Sequence, residues 1–597
     1  MRQCLCILLA WSLLPRSSNA FVPAPPLVRD STSQSIRAWN RKQIAIESAS
    51  TSIRHAVANR GRLNHGARGG ATTMQDSSSA IEERPASLTE GVTNGKKKVV
   101  VIGAGWAGLA AAYELSKQNE DFDVTLLEGG KSVGGLVAGW LTPGGRPVEA
   151  GVHGFWYPYR NIFRLIEKDL NIDPFTPWTQ SAQYSPEGLE VISPIFQNMP
   201  RLPSPLGTFL YPSFLRLPWA DRLTALGVVA SVVDWDNTPE AWRKYDKYTA
   251  RELFRMMGCS ERLYKDAFEP MLLVGLFAPG EQCSAAGALG MLYFFILAHQ
   301  ADFDVKWCRG TTGEMIFRPW VERIEKNGAK VLVEKRVTDI KICPETGGVT
   351  SVSCGDESFP ADAVVSAVGI NGVKGIVRAA PGLSRLPFFS RMMNLRSVDA
   401  LAVRLYLDRR VRIPYQSNAC FGFDKTTGWT FFDLTCMHDA LSSSPGTVLE
   451  ADFYHADQLL PQSDEDLVSK VQRDIATCVP AVGRAKVIDY SVVRIAQGVT
   501  HFSPGSYGSM PTCETPIPNM FMSGDWVIND HGSFSQEKAF VTGVEAANAV
   551  VKRLGVGRTA SIIPLEDDEP HIRALREVNG RAKRVIKSLP GVGWLLP

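Results

Sequence analysis

The chain has 597 residues, 45% apolar and 21% charged, a globular composition long enough for two domains or more. Its net charge of +3 is uneven: residues 1–95 carry 11 Lys/Arg against 6 Asp/Glu, and the remaining 502 carry 53 against 55. So near-neutral a body lacks the basic footprint of a nucleic-acid binder. Eleven cysteines occur, two of them in the first 20 residues. The other nine are odd in number and scattered, with no C-x-x-C or Cys/His ligand spacing, so they predict buried small apolar residues, with no disulfide framework and no metal.

In chain order, residues 1–20 read as a signal peptide. Arg2 is the charged start, Leu5 to Leu14 is an apolar stretch too short to span a bilayer, and Ser18-Asn19-Ala20 is a small-x-small cleavage site. Residues 21–75 hold 8 Lys/Arg, 2 acids and 10 Ser/Thr, the composition of a transit peptide. The pair, joined at Ala20-Phe21-Val22-Pro23, resembles the bipartite presequence of algae with secondary plastids, which implies a plastid destination. A plain secreted protein with a pro-segment is the alternative. Residues 76–95 are a polar linker.

The segment 96–170 predicts a nucleotide-binding unit. Val99 to Ile102 suits a buried parallel strand. Gly103, Gly105 and Gly108 then make G-x-G-x-x-G, with Ala104, Trp106 and Ala107 between them. The first glycine permits the tight turn, the second lets backbone approach a pyrophosphate, and the third lets helix pack on strand. A helix over 106–118 aims its free N–H groups at the phosphate. A second strand, Val124 to Leu127, ends at Glu128, 25 positions past Gly103, where an acid binds a ribose hydroxyl and disfavours NADP. Gly134, Gly135 and Leu136 follow.

Residues 171–301 are aromatic, apolar and rich in proline turns, which predicts a mostly helical substrate unit with helices over 219–233 and 285–299. Residues 302–394 carry an amphipathic helix and strands at 330–337 and 363–367, a return to the nucleotide unit. Residues 395–512 hold period-2 strands such as Leu401 to Leu407 and one helix, a return to the substrate unit. Residues 513–555 close the nucleotide unit, and 556–597 form a basic amphipathic extension with Arg573, Arg576, Arg581, Lys583, Arg584 and Lys587. The fold expected is α/β: a discontinuous Rossmann-like dinucleotide-binding domain interleaved with an α+β, partly helical substrate domain.

Two motifs carry a family resemblance. E-x5-G-G, from Glu128 to Gly135, and the late F-M-S-G-D-W (521–526) with S-Q-E-K-A-F (535–540) resemble the flavin amine oxidase and carotene desaturase superfamily. The stretch V-E-A-G-V-H-G-F-W-Y-P-Y-R-N (148–161) and the block 266–286 narrow it toward carotene desaturases of the plant and cyanobacterial type. The resemblance implies FAD. It implies cofactor contacts at the glycine segments, at Val337 (backbone to adenine), at Gly524 and Asp525, and at Gln536, Glu537 and Ala539, whose helix aims its N-terminus at the flavin. Glu149, His153 and Glu537 are the candidates for the chemistry. The chain departs from relatives at Gln536-Glu537-Lys538, at Met315 in place of an Arg, and at Trp526, which places it on a divergent branch. Lys538 reads as a solvated first-turn residue, and Arg309 as a surface ion pair.

The implied reaction is hydride transfer from a carotenoid chain to flavin N5, with reoxidation by a quinone, since no haem or iron–sulfur motif is present. Return of the electrons would give cis–trans isomerisation instead. The competing expectations are a flavin oxidase acting on an amine or a tetrapyrrole, and a flavin-binding protein without turnover. A lipophilic substrate requires access to a bilayer, for which Pro205 to Val233 is the candidate surface.

Overall fold

The structure is a computed structural model that describes residues 95–142 and 144–588, with side chains as far as Arg581. The presequence (1–75), nearly all of the 76–95 linker, and the side chains of Lys583, Arg584 and Lys587 lie outside the described residues.

The first sheet is parallel. Its strands are β1 (Lys97–Ile102), β2 (Phe122–Leu127), β3 (Lys330–Leu332), β4 (Ala363–Ser366) and β5 (Met520–Met522), in the order β3-β2-β1-β4-β5. Val99 to Ile102 are at most 3% exposed, as a central strand covered on both faces requires. Strand order reverses about β1, and the crevice at such a reversal is where an open α/β sheet binds its ligand. Helix α1 (Trp106–Ser116), buried along its whole length, covers one face with α2 (Ser535–Leu554). The two helices pack backbone to backbone: a Cβ on Gly543 would lie 2.1 Å from the Ala107 carbonyl oxygen.

The second sheet has eight strands. In spatial order these are Val487–His501, Arg396–Leu407, Val448–Tyr454, Gly428–Asp433, Ser417–Cys420, Ser181–Ser185, Gly188–Ser193 and Ser213–Phe214. All pairs are antiparallel except Ser417–Cys420 with Ser181–Ser185, which joins two distant stretches of chain. Alternation gives each face its own task. Leu401, Val403, Leu405, Trp429, Phe431, Leu449 and Phe453 pack with Leu467, Val471 and Ile475 of the helix Asp464–Cys478. Thr430, Phe432 and Asp452, from the other face, line a cavity.

Several elements differ from expectation. Residues 171–301 are not mostly helical throughout: a hairpin forms at 181–193, turning at Gly188 with φ +114°. The strand expected over 330–337 stops at Leu332, because the backbone turns at Glu334 with φ +56°. The 219–233 helix is two, Trp219–Leu223 and Leu226–Asp234. The helix expected over 285–299 is α-helical from Ala285 to Leu292 and continues as a π-turn to Leu297. The extension forms α3 (Pro570–Ser588), which packs on Leu226–Asp234 through Arg576, bonded to Asp568 and to the Val233 and Trp235 carbonyls.

Candidate active site

One cavity of about 630 Å³ joins the two sheets. At its nucleotide end lie Gly103, Ala104, Gly105, Trp106 and Ala107, Glu128, and Gly134, Gly135 and Leu136. The glycine segments touch: the Gly134 N–H donates to the Ala104 carbonyl at 2.7 Å. Gly103 and Gly134 have φ of +98° and +116°, which other residues reach only with strain. A Cβ on Gly105 would meet no protein atom closer than 3.8 Å, so its free side opens on the cavity. No side chain caps α1, which leaves its first-turn N–H groups to receive an anion. Glu128 accepts from the Ala104 N–H at 2.8 Å and the Gly130 N–H at 2.7 Å, which places its carboxylate at the end of β2 beside the glycine turn.

The late motif closes the same cavity. Gly524, Asp525, Trp526, Gln536 and Ala539 all line it. Gly524 has φ +140°, and its N–H donates to Thr542 Oγ1 of α2 at 2.9 Å. Gln536 is fixed at both ends, accepting from Trp106 Nε1 at 2.9 Å and donating to the Gly154 carbonyl at 3.0 Å. The N-terminus of α2 has no side-chain cap either. Burial holds the Asp525 carboxyl above its usual range, against its bond to Thr500 and the charge of Lys538.

His153 lines the cavity too. Its Nδ1 lies 2.7 Å from the Gly151 carbonyl, so Nδ1–H donates and Nε2 is left as acceptor. Burial holds the imidazole down at about 4, so it is neutral at physiological pH.

Four expected positions stand elsewhere. Glu149 is 3% exposed but does not line the cavity. It accepts from the Thr312 N–H at 3.0 Å and lies 4.0 Å from Arg404, whose Nε is bonded to Glu450. Glu537 is fully buried away from the cavity, where it accepts from the Asn161 N–H (2.8 Å), the Asn161 amide (2.9 Å) and the Ile162 N–H (3.1 Å). It thus caps the short helix Arg160–Arg164. Val337 is not among the lining residues; it packs against the main core past the end of β3. Gly108 serves packing, since a Cβ there would lie 1.8 Å from the Gly103 carbonyl oxygen. Lys538 is likewise not solvated. It is 4% exposed, near the Phe502 and Phe534 rings and the Asp525 and Glu545 carboxyls, and burial lowers it to about 8. Arg309 is half-exposed and pairs with Asp173 and Asp439.

Burial and the charge of Glu450 raise Glu149 to about 8, against Arg404. Below pH 4.5 both folded and unfolded chains hold this proton. Between 4.5 and 8 only the folded chain holds it, so stability falls as pH rises through that window and levels off above it. A Glu149→Gln variant is therefore expected to show a shallower fall of Tm between pH 5 and 8 than the native protein. An unchanged profile in thermal melts would mean that Glu149 is ionised in the fold.

The beginning of the cavity was legible from glycine spacing, but its walls were not. Met271, Val274, Met291, Phe295 and Ile296 line it from the helical region, and Gln183, Thr430 and Asp452 from the second sheet. No local motif marks them. Among the described residues no His/Cys/Asp/Glu group is arranged for a metal, and no helix is long and apolar enough to cross a membrane.

A glycine turn at a switch point, an acid at the end of the second strand and a late Gly-Asp pair on one cavity define an FAD-dependent oxidoreductase of two-sheet architecture. The chain matches the family described as flavin containing amine oxidoreductase over residues 106–551 and belongs to it. It is similar to a probable zeta-carotene desaturase of Synechococcus elongatus, 26% identical over 483 residues, covering 76% of this chain and 98% of that one. It is 25% identical over 476 residues to the chloroplastic/chromoplastic 15-cis-phytoene desaturase of Solanum lycopersicum, covering 77% and 79% of the two chains. Among solved structures, cyclohexylamine oxidase from Brevibacterium oxydans superposes with TM-score 0.57 at 16% identity, covering 77% of this chain and all of that one, a likeness of fold. The protein is thus a carotene desaturase-like flavoenzyme whose cofactor is FAD.

Proposed function

We propose that the protein oxidises a carotenoid, removing a hydride and a proton from adjacent carbons of the chain and passing the electrons on to a quinone. FAD, when bound, supplies the hydride acceptor. The observation that carries the reading is the cavity wall: past the glycine segments it is built from Met271, Val274, Met291, Phe295 and Ile296, a lining suited to a long apolar chain. The chain's own contribution is positioning. Glu128 is set to take a ribose hydroxyl, the α1 N-terminus the pyrophosphate, and Gln536, Ala539 and the α2 N-terminus the flavin edge. The nucleotide unit on this reading comprises 96–170, 302–394 and 513–555, and the substrate unit 171–301 and 395–512.

The test is anaerobic mixing of the FAD-loaded protein with acyclic carotenes in liposomes. Bleaching of the flavin, reversed by a quinone, is expected. Carotene isomerised without net bleaching would assign cis–trans isomerisation. Bleaching by amines or a porphyrinogen alone would assign the oxidase alternative, and none with any substrate would assign a flavin-binding protein without turnover.

The same reading includes a membrane surface. Leu206, Leu210, Leu215, Trp219, Leu223 and Leu226 are all exposed on consecutive short elements, with the exposed Arg573 on the helix α3 that packs beside them. Burying such side chains in the acyl boundary contributes about 1.5–3 kcal/mol each. A Leu210→Glu, Leu223→Glu double variant is expected to lose at least about tenfold in liposome binding with its melting unchanged. Undiminished co-sedimentation would remove this surface from the proposal. A plastid destination is supported by the chloroplastic relatives of plants and by the presequence composition, and a fluorescent fusion to residues 1–95 tests it.

A further inference from the structure

The cavity face of the second sheet carries a row of polar side chains in lateral register. Gln183 stands opposite Ala419, Ala419 opposite Thr430, and Thr430 opposite Asp452. All four line the cavity. Strands lie roughly 4.8 Å apart, so the row is about 14 Å long, with the small Ala419 in its middle.

Three atoms of this row have no hydrogen-bond partner among the described residues: Gln183 Oε1, Thr430 Oγ1 and Asp452 Oδ1. Thr430 and Asp452 are 4% and 6% exposed. The other Asp452 oxygen is committed, accepting from the Val152 N–H at 2.7 Å. Thr430 Oγ1 is the one of the three with a polar side-chain neighbour, the Tyr454 phenol. Buried polar atoms are normally satisfied, and each exception calls for a cause. A single such atom would be unremarkable. Three in one register row, all lining one cavity, share one cause: they serve a ligand.

The charge of the row sets the ligand's chemistry. Behind Asp452 stand Glu450 and Glu149, and the guanidinium among them, Arg404, is bonded through Nε to Glu450 and through Nη1 to the Pro147 carbonyl, with Nη2 4.0 Å from Glu149. Burial and the charge of Glu450 hold the Asp452 carboxyl well above the usual carboxylate range. A carboxyl whose charge burial disfavours, a hydroxyl and an amide stand in one row with free hydrogen-bonding atoms. That set matches an alcohol or carbonyl oxygen.

We propose that this row is a subsite for the oxygenated end of the substrate, so that the cavity takes a hydroxylated isoprenoid chain in preference to a plain hydrocarbon. The proposal rests on the carotenoid reading above and specifies its substrate class. A site built to hydrogen-bond a hydroxyl discriminates against the analogue that lacks it, because its own buried groups are then left unpaired.

The test uses a pair that differs only in hydroxyls, zeaxanthin and β-carotene, offered in detergent micelles to the FAD-loaded protein. Binding is read by quenching of tryptophan fluorescence, since Trp156 and Trp307 line the cavity. The diol is expected to bind about tenfold more tightly or better. Thr430→Val and Gln183→Leu should each shrink that preference, and the double variant should abolish it, while Thr430→Ser keeps it; bound FAD reports that each variant is folded. Equal affinity for the two polyenes, or a preference that survives the double variant, overturns the subsite alone. Failure of both polyenes to bind a protein that acyclic carotenes still bleach overturns the subsite alone, and failure of the acyclic carotenes as well overturns the carotenoid reading, and the subsite with it.

Discussion

Replacing Gly105 by valine is expected to yield a folded protein that no longer holds FAD. A Cβ at this position meets nothing in the protein closer than Gly135 Cα at 3.8 Å, so the fold itself has room for it. That room is the cavity, on the path a pyrophosphate takes across the free N–H groups of α1. Filling it imposes a steric cost of about 3 kcal/mol on the ligand, roughly a hundredfold in affinity. Gly108→Ala should behave in the opposite way. Its Cβ would lie 1.8 Å from the Gly103 carbonyl oxygen, a backbone atom that cannot move aside without disturbing the turn. The whole strand–helix junction must then shift, and loss of stability of about 3 kcal/mol is expected whether or not FAD is present. Flavin absorbance after desalting, measured beside thermal melts of the apo-proteins, separates the two. If Gly105→Val retained FAD at native affinity, the glycine turn would not be the pyrophosphate seat.

Glu537→Ala is expected to destabilise the protein on the order of 4 kcal/mol without altering the flavin environment. The carboxylate closes three hydrogen bonds to Asn161 and Ile162, all buried. Its removal strands two backbone N–H groups and one amide N–H, and each costs more unpaired than it gained paired. The effect should spread to the C-terminal segment. Asn161 also donates to the Ile563 carbonyl and accepts the Ile563 N–H, and His531 meets the same carbonyl at 2.8 Å. Faster proteolysis of the segment after Gly555 is therefore expected in the variant. Glu537→Gln keeps an acceptor for Asn161 but turns an amide toward the Ile162 N–H, so it should lose about half as much. The opposite result, an unchanged melt with a shifted flavin spectrum, would return Glu537 to the flavin contacts that its place in the S-Q-E-K-A motif suggested.

Glu537 and Gln536 show why a motif locates a helix more surely than it assigns roles. They are neighbours on one first turn, pointing about 100° apart. Gln536 turns to Trp106 and the cavity, and Glu537 to Asn161. Glu149 and His153 differ in the same way. Both sit in one run of sequence, yet a short strand, Pro147–Glu149, sends the acid to Arg404, while the turn after it brings the histidine to the cavity. Lys538 reads as solvated from its charge, but Gln536, Glu537 and Lys538 of the first turn of α2 are all buried.

The sequence by itself determined what adjacent residues can encode. The β-branched run at 99–102, the glycine spacing and the acid at 128 specify strand, turn, helix and a second strand that ends in a carboxylate, within a single βαβ unit. The late Gly-Asp pair and its helix mark the second half of the FAD site, although most of the chain lies between them. Tertiary structure alone decided which polar groups share the cavity. Gln183, Thr430 and Asp452 come from three strands, and only the lateral register of the second sheet sets them in one row. Register is fixed by pairing between segments far apart in the chain and by which face each strand buries, so no local window of sequence contains it.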